Sequence, residues 1–205
     1  MSAPAESKRH NRQIANPVDM ASKTMIGFWV YLMTDCVLFA SLFAVYAVLH
    51  NNTFGGPTGY QLFDLPNVLV ETLCLLTSSF TCGLGVMAAY RAAKRQAYAW
   101  FAATFLLGAA FLFIEISEFT KFVQMGDSWS KSGFLSGFFT LVGTHGLHIT
   151  VGLTWLVILM VQIAKKGLGP NQLRRLTMFS LFWHFLDLIW IFIFTIVYMM
   201  GAGVQ

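Results

Sequence analysis

The stretch Phe182–Trp190, FWHFLDLIW, decides how this chain folds. It lies inside Leu176–Met200, a run that is otherwise almost wholly apolar yet carries His184 and Asp187, three residues apart. In water, such a run would need a large protein core around it. In a bilayer it is long enough to cross, because about 20 mostly apolar residues span the hydrocarbon. Its two polar residues then share one helix face and must turn toward protein or water.

Working outward, four more runs have the same character: Met25–Leu49, Asn67–Tyr90, Tyr98–Phe122 and Phe134–Ala164. Of the 205 residues, 57% are of hydrophobic type and only 11% are charged, against roughly 25% charged in a soluble domain. Twenty phenylalanines add to the apolar load. A soluble domain of this size cannot hide so much apolar surface. Strand-period alternation is absent, which argues against an outer-membrane barrel. Unpaired backbone groups are too costly in lipid, so each run is expected to be an α-helix. The fold class is therefore an all-α membrane protein with five transmembrane helices in an antiparallel bundle.

The formal net charge is +4, but its placement points to a membrane and not to nucleic acid. Lys8, Arg9, Arg12 and Lys23 precede the first run; Arg91, Lys94 and Arg95 separate the second and third; Lys165, Lys166, Arg174 and Arg175 separate the fourth and fifth. These eleven fall on one side, and Lys121 and Lys131 on the other. The positive-inside rule then puts the N-terminus in the cytoplasm and the C-terminus in the periplasm. Trp29, Tyr31, Tyr90, Tyr98 and Trp100 fall near the cytoplasmic ends, and Tyr46, Trp129 and Tyr198 near the outer ends, as an aromatic belt would. Trp155, Trp183 and Trp190 sit deeper and are expected between helices. The first run is too long for a signal-peptide core and is read as a retained anchor. Cys36, Cys74 and Cys82 lie in apolar runs and are expected to be small buried thiols.

Residues 1–24 are expected to form a polar cytoplasmic tail, and residues 25–201 the membrane domain. The loop from His50 to Pro66 carries FGGPTG, a cluster of turn formers. The fourth run opens on Ser132, Gly133, Ser136, Gly137, Thr140, Gly143 and Thr144, small residues that share one helix face. The pair Gly133 and Gly137 would let another helix approach closely.

The spans also hold five acids, Asp35, Glu71, Glu115, Glu118 and Asp187, and three histidines, His145, His148 and His184. Such groups cost about 2.5–3.5 kcal/mol each on an insertion scale and need partners. No Lys or Arg lies at mid-depth, so the partners are expected among histidines, hydroxyls and the acids themselves. Asp35 lies about 15 Å from the cytoplasmic end of its helix. Depth groups it with His148, His184 and Asp187, and groups Glu71 with Glu115 and Glu118. Three readings stay open for these residues: hydrogen bonds that fix the helix arrangement, proton handling, and a metal or haem site. HGLH at His145–His148 places two imidazoles on one face, but no Glu-x-x-His pair accompanies it as a di-iron centre would require. No Cys-x-x-Cys-His haem attachment site occurs. No catalytic residue and no metal ligand set is assigned.

Four segments in order carry a resemblance. FWHFLDLIWIFIFTIVYMMG (Phe182–Gly201), GTHGLHITVG (Gly143–Gly152), YLMTDCVLFASLFAVYAVL (Tyr31–Leu49) and EISEF (Glu115–Phe119) together resemble subunit III of the haem-copper terminal oxidases. The likeness covers about residues 25–201. Larger members have seven helices, and many carry Glu where Asp35 stands. The five-helix form, with NNTFGGPTG and LPNVLVET between its first two helices, is similar to subunit III of bacterial bo-type ubiquinol oxidases. The resemblance implies an accessory, non-redox subunit in a bacterial inner membrane. Such a subunit packs against subunit I and other subunits, holds phospholipids and supports proton uptake, while the haems and copper sit in subunit I. A cytochrome c oxidase subunit III and a small proton-coupled transporter are the alternatives, the latter weakened by the lack of inverted repeats and broken helices.

Overall fold

The computed structural model describes the backbone of residues 17–50, 65–124 and 132–199, and side chains within 23–50, 66–124 and 132–199. Most of the expected N-terminal tail, the FGGPTG loop, Trp129 and Lys131 lie outside the described residues. Among the described residues the chain is all-helical: α1 (Pro17–Leu49), α2 (Leu65–Tyr90), α3 (Lys94–Gln124), α4 (Gly133–Lys166) and α5 (Pro170–Ile193), which continues as a π-helical turn, Phe194–Met199. Five of these helical stretches are long and apolar enough to cross a membrane. Each outruns the apolar segment that predicts it, because an α-helix continues past the hydrocarbon into the polar flanks. The difference is largest in α1, which begins at Pro17 and not at Met25. The helix begins at Pro17, and proline is suited to a first helical position, where its missing N–H would have no intrahelical partner.

The chain comprises two compact units that divide inside α1, Met1–Cys36 and Val37–Gln205. In the first, the Tyr31 hydroxyl hydrogen-bonds the Asp35 carboxylate one turn away, and the Phe28 and Tyr31 rings lie 6.1 Å apart. Trp29, Val30 and Met33 are exposed, as suits a face toward lipid or another chain.

In the second unit, α2 packs along α3 and α5, and α4 packs against α3 and α5. Short links set these neighbours. Arg91–Ala93 joins α2 to α3 with Ala92 in the left-handed region, φ 56°. Gly167, φ 76°, ends α4 with its N–H on the Ile163 carbonyl, and Pro170 opens α5. At the other end of α4, the Ser132 hydroxyl accepts from the Leu135 N–H at 3.2 Å.

The core is built around Trp183 of α5, which is 1% exposed. Its ring lies in a slot between Gly108 of α3 and Gly152 of α4; a Cβ at either glycine would come within 2.9 Å of the ring. Its indole N–H donates to the Ser78 hydroxyl of α2 at 3.2 Å, and that hydroxyl donates to the Thr104 carbonyl of α3 at 3.1 Å. Trp190, two turns on, donates to Thr72 of α2 at 3.0 Å. Trp155 is half-buried against Phe179 and Phe182.

Two expectations change here. Tyr46 and Tyr198 do not belong to an interfacial belt: both are buried, because the π-helical turn and the C-terminal half of α1 carry them into the protein. Trp29, Tyr31, Tyr90, Tyr98 and Trp100 are exposed. Of the three thiols only Cys82 is buried; Cys36 is exposed and Cys74 half-buried, since an apolar thiol meets no penalty on a lipid-facing surface. The Trp183→Ala variant should lose about 3–5 kcal/mol by emptying the slot, whereas Trp155→Ala loses clearly less; thermal denaturation of the detergent-solubilised protein reads both.

Candidate functional site: two buried polar sets

Within the second unit the polar side chains separate into two sets, each placed by helix spacing. The first gathers Glu71 of α2 with Glu115 and Glu118 of α3, near enough to interact electrostatically. All three carboxyls are buried. The three-residue spacing of Glu115 and Glu118 puts both on the face that α3 turns inward. The Glu115 carboxylate rests on the backbone of α4, so that a Cβ at Gly146 would meet its Oε1 at 2.9 Å. Beside it lies His145, fully buried, stacked on Trp190 at 5.3 Å and edge-on to Phe111 at 6.1 Å. Neither the oxygens of Glu71 and Glu115 nor the nitrogens of His145 have a hydrogen-bond partner among the described residues.

Tyr198 completes this set, interacting electrostatically with all three acids. Sequence reasoning missed it by placing it at the interface. Its ring lies 5.9 Å from Phe138 and 6.1 Å from Trp190. A π-turn shifts the side chains that follow it relative to an α-helix, and no sequence period announces that shift.

The second set is Ser79 of α2 with His184 and Asp187 of α5. The Ser79 hydroxyl is 2.5 Å from His184 Nδ1, and the Asp187 carboxyl lies near enough to interact with both. Asp187 is buried, whereas His184 is exposed. The serine was legible only as part of the small polar string Thr77–Ser79 in an apolar run.

His148 does not join His184, the grouping that depth alone predicts. It lies on α4 with His145 as its neighbour, its Nδ1 2.8 Å from the Thr144 carbonyl and its ring 5.3 Å from Phe39. Depth places residues along the membrane normal but not around the bundle. Asp35 belongs to the N-terminal unit with Tyr31.

The small face of α4 divides between two environments. Gly137 is buried, with Tyr46 Cα 3.5 Å from where its Cβ would stand; Gly133 is half-buried. Ser136, Thr140, Gly143 and Thr144 instead line an open groove of about 550 Å³ with Val123 and Phe139.

Among the described residues, no three His, Cys, Asp or Glu side chains converge as a metal site would require. His145 is walled by aromatic rings and His184 Nδ1 is engaged by Ser79, so the two do not offer a facing pair of haem ligands. The first set can hold protons or share them; the second can accept or donate a hydrogen bond at the protein surface. Glu115→Gln removes one of three clustered carboxyls without changing shape, so its thermal midpoint should match the parent or exceed it. Gly146→Val drives a side chain into the Glu115 carboxylate and should cost about 1–3 kcal/mol. Equal losses in the two variants would show instead that the Glu115 carboxyl itself supports the fold.

Residues 10–202 match the family model for cytochrome c oxidase subunit III. The chain is 56% identical over 184 residues to the cytochrome bo(3) ubiquinol oxidase subunit 3 of Pseudomonas aeruginosa, covering 90% of this chain and 88% of that one. It is 44% identical over 191 residues to a quinol oxidase subunit 3 of Bacillus spizizenii, covering 91% and 94%. It is 46% identical over 176 residues to a cytochrome c oxidase subunit 3 of Bacillus sp. (strain PS3), covering 86% and 85%. A chain matched over nearly its whole length in this way, with five membrane-spanning-capable helices, belongs to the cytochrome c oxidase subunit III family.

Proposed function

We propose that this chain is subunit III of a bo-type ubiquinol oxidase, an accessory subunit that carries no redox group. The carrying observation is the 56% identity to a ubiquinol oxidase subunit 3 along 90% of the chain. In this reading the chain is not catalytic alone. It stabilises subunit I, which holds the haems and copper, binds phospholipid, and supports proton uptake during quinol oxidation and dioxygen reduction. The five helices cross the bacterial inner membrane antiparallel, with the N-terminus cytoplasmic. The charge asymmetry of eleven basic residues against two supports that orientation.

The buried acids and histidines are the groups through which a proton role would act. Asp35 leads among them, with Glu71, Glu115, Glu118, His145, His148, His184 and Asp187 as structural or proton-related members. The groove beside Thr140 and Gly143 offers a close-packing face for subunit I or a lipid chain. A second reading, a subunit of a cytochrome c oxidase, has one specific observation behind it: the 46% identity to the Bacillus sp. subunit of that name.

Purification of the native membrane complex through a tag on this chain tests the proposal. Co-purified haem-bearing subunits with ubiquinol-driven oxygen uptake are expected. Uptake driven by reduced cytochrome c instead would move the chain to the second reading, and a colourless chain purified alone would overturn both.

A further inference from the structure

The set formed by Ser79, His184 and Asp187 has an unfinished hydrogen-bond chain. The Ser79 hydroxyl is 2.5 Å from His184 Nδ1, which engages that ring nitrogen within the chain. The other ring nitrogen, Nε2, has no hydrogen-bond partner among the described residues, and it is a polar atom in either tautomer. His184 is exposed and stands at the middle of the span Pro170–Met199, where hydrocarbon offers no hydrogen-bond partner. An unmet polar group there is costly.

The surroundings define what would meet it. An open groove of about 440 Å³ is lined by Leu76, Phe80, Gly83 and Met87 of α2 together with His184 and Asp187 of α5. The four α2 residues share one helix face and extend over about 16 Å, three turns. Leu76, Phe80 and Met87 are exposed. Gly83 serves no packing need within the chain, since a Cβ there would meet nothing within 4 Å. A small residue on an apolar face with open space above it is how one transmembrane helix admits another.

We infer that this α2–α5 face receives a transmembrane helix of a partner subunit, which approaches at Gly83 and hydrogen-bonds His184 Nε2 through a polar side chain. The inference rests on the oxidase-subunit reading, which supplies partner helices. An acyl chain would match the apolar stripe but brings no hydrogen-bonding group to mid-depth. A quinol head group brings a hydroxyl, but small-molecule sites enclose most of their ligand, and this groove is open along its length. A helix meets the length, the openness and the unmet nitrogen together.

The test uses the native complex. With Phe80 replaced by photo-reactive p-benzoyl-phenylalanine, illumination should join position 80 to a transmembrane peptide of another subunit, identified by mass spectrometry. The same replacement at the exposed Leu106 of α3 should not give that product. His184→Gln, whose amide can donate or accept, should keep the chain in the complex. His184→Leu should raise its loss from the detergent-solubilised complex by about threefold to tenfold, the worth of one interhelical hydrogen bond. Adducts at position 80 to lipid or quinol alone, or equal retention of wild type and His184→Leu, would overturn the inference. If wild type still co-purifies with haem-bearing subunits in that case, the subunit reading stands without it; a wild-type chain that purifies alone removes both.

Discussion

One indole ring carries the second unit. Trp183 leaves α5, enters the slot that Gly108 and Gly152 hold open between α3 and α4, and reaches Ser78 of α2 with its N–H. The slot exists because two helices lack side chains at one level, and it stays filled because the ring finds a polar partner at its edge. Between helices in lipid there is no hydrophobic driving force of the aqueous kind, so close packing and internal hydrogen bonds hold the bundle. Trp183 supplies both to four helices at once, and Trp190 repeats the N–H contact two turns on with Thr72.

That core explains where the costly polar groups can be kept. Beyond Trp190 the carboxyls of Glu71, Glu115 and Glu118 gather beside His145 and Tyr198, walled by Phe111 and Phe138. No Lys or Arg lies near mid-span to neutralise them, so the three carboxyls have only one another and their polar neighbours to share protons with. The second set, Ser79 with His184 and Asp187, is organised differently: two members are buried, and the third is turned outward into a groove. One set is enclosed by this chain; the other opens onto its surface.

The sequence by itself determined the number and approximate extent of the five membrane-spanning-capable helices, because apolar run length is a local property. It also determined which acids and histidines share a helix face, because three-residue spacing places Glu115 with Glu118 and His184 with Asp187. The resemblance of four ordered segments identified the family. Only the tertiary structure decided which helices neighbour which. That is why His148 lies with His145 and not with His184, why Tyr198 turns inward through a π-helical turn, and why Gly108 and Gly152 matter more than the conspicuous pair Gly133 and Gly137. These outcomes depend on rotation of each helix about its own axis and on which side chain fills which slot, and no spacing along a single helix encodes either.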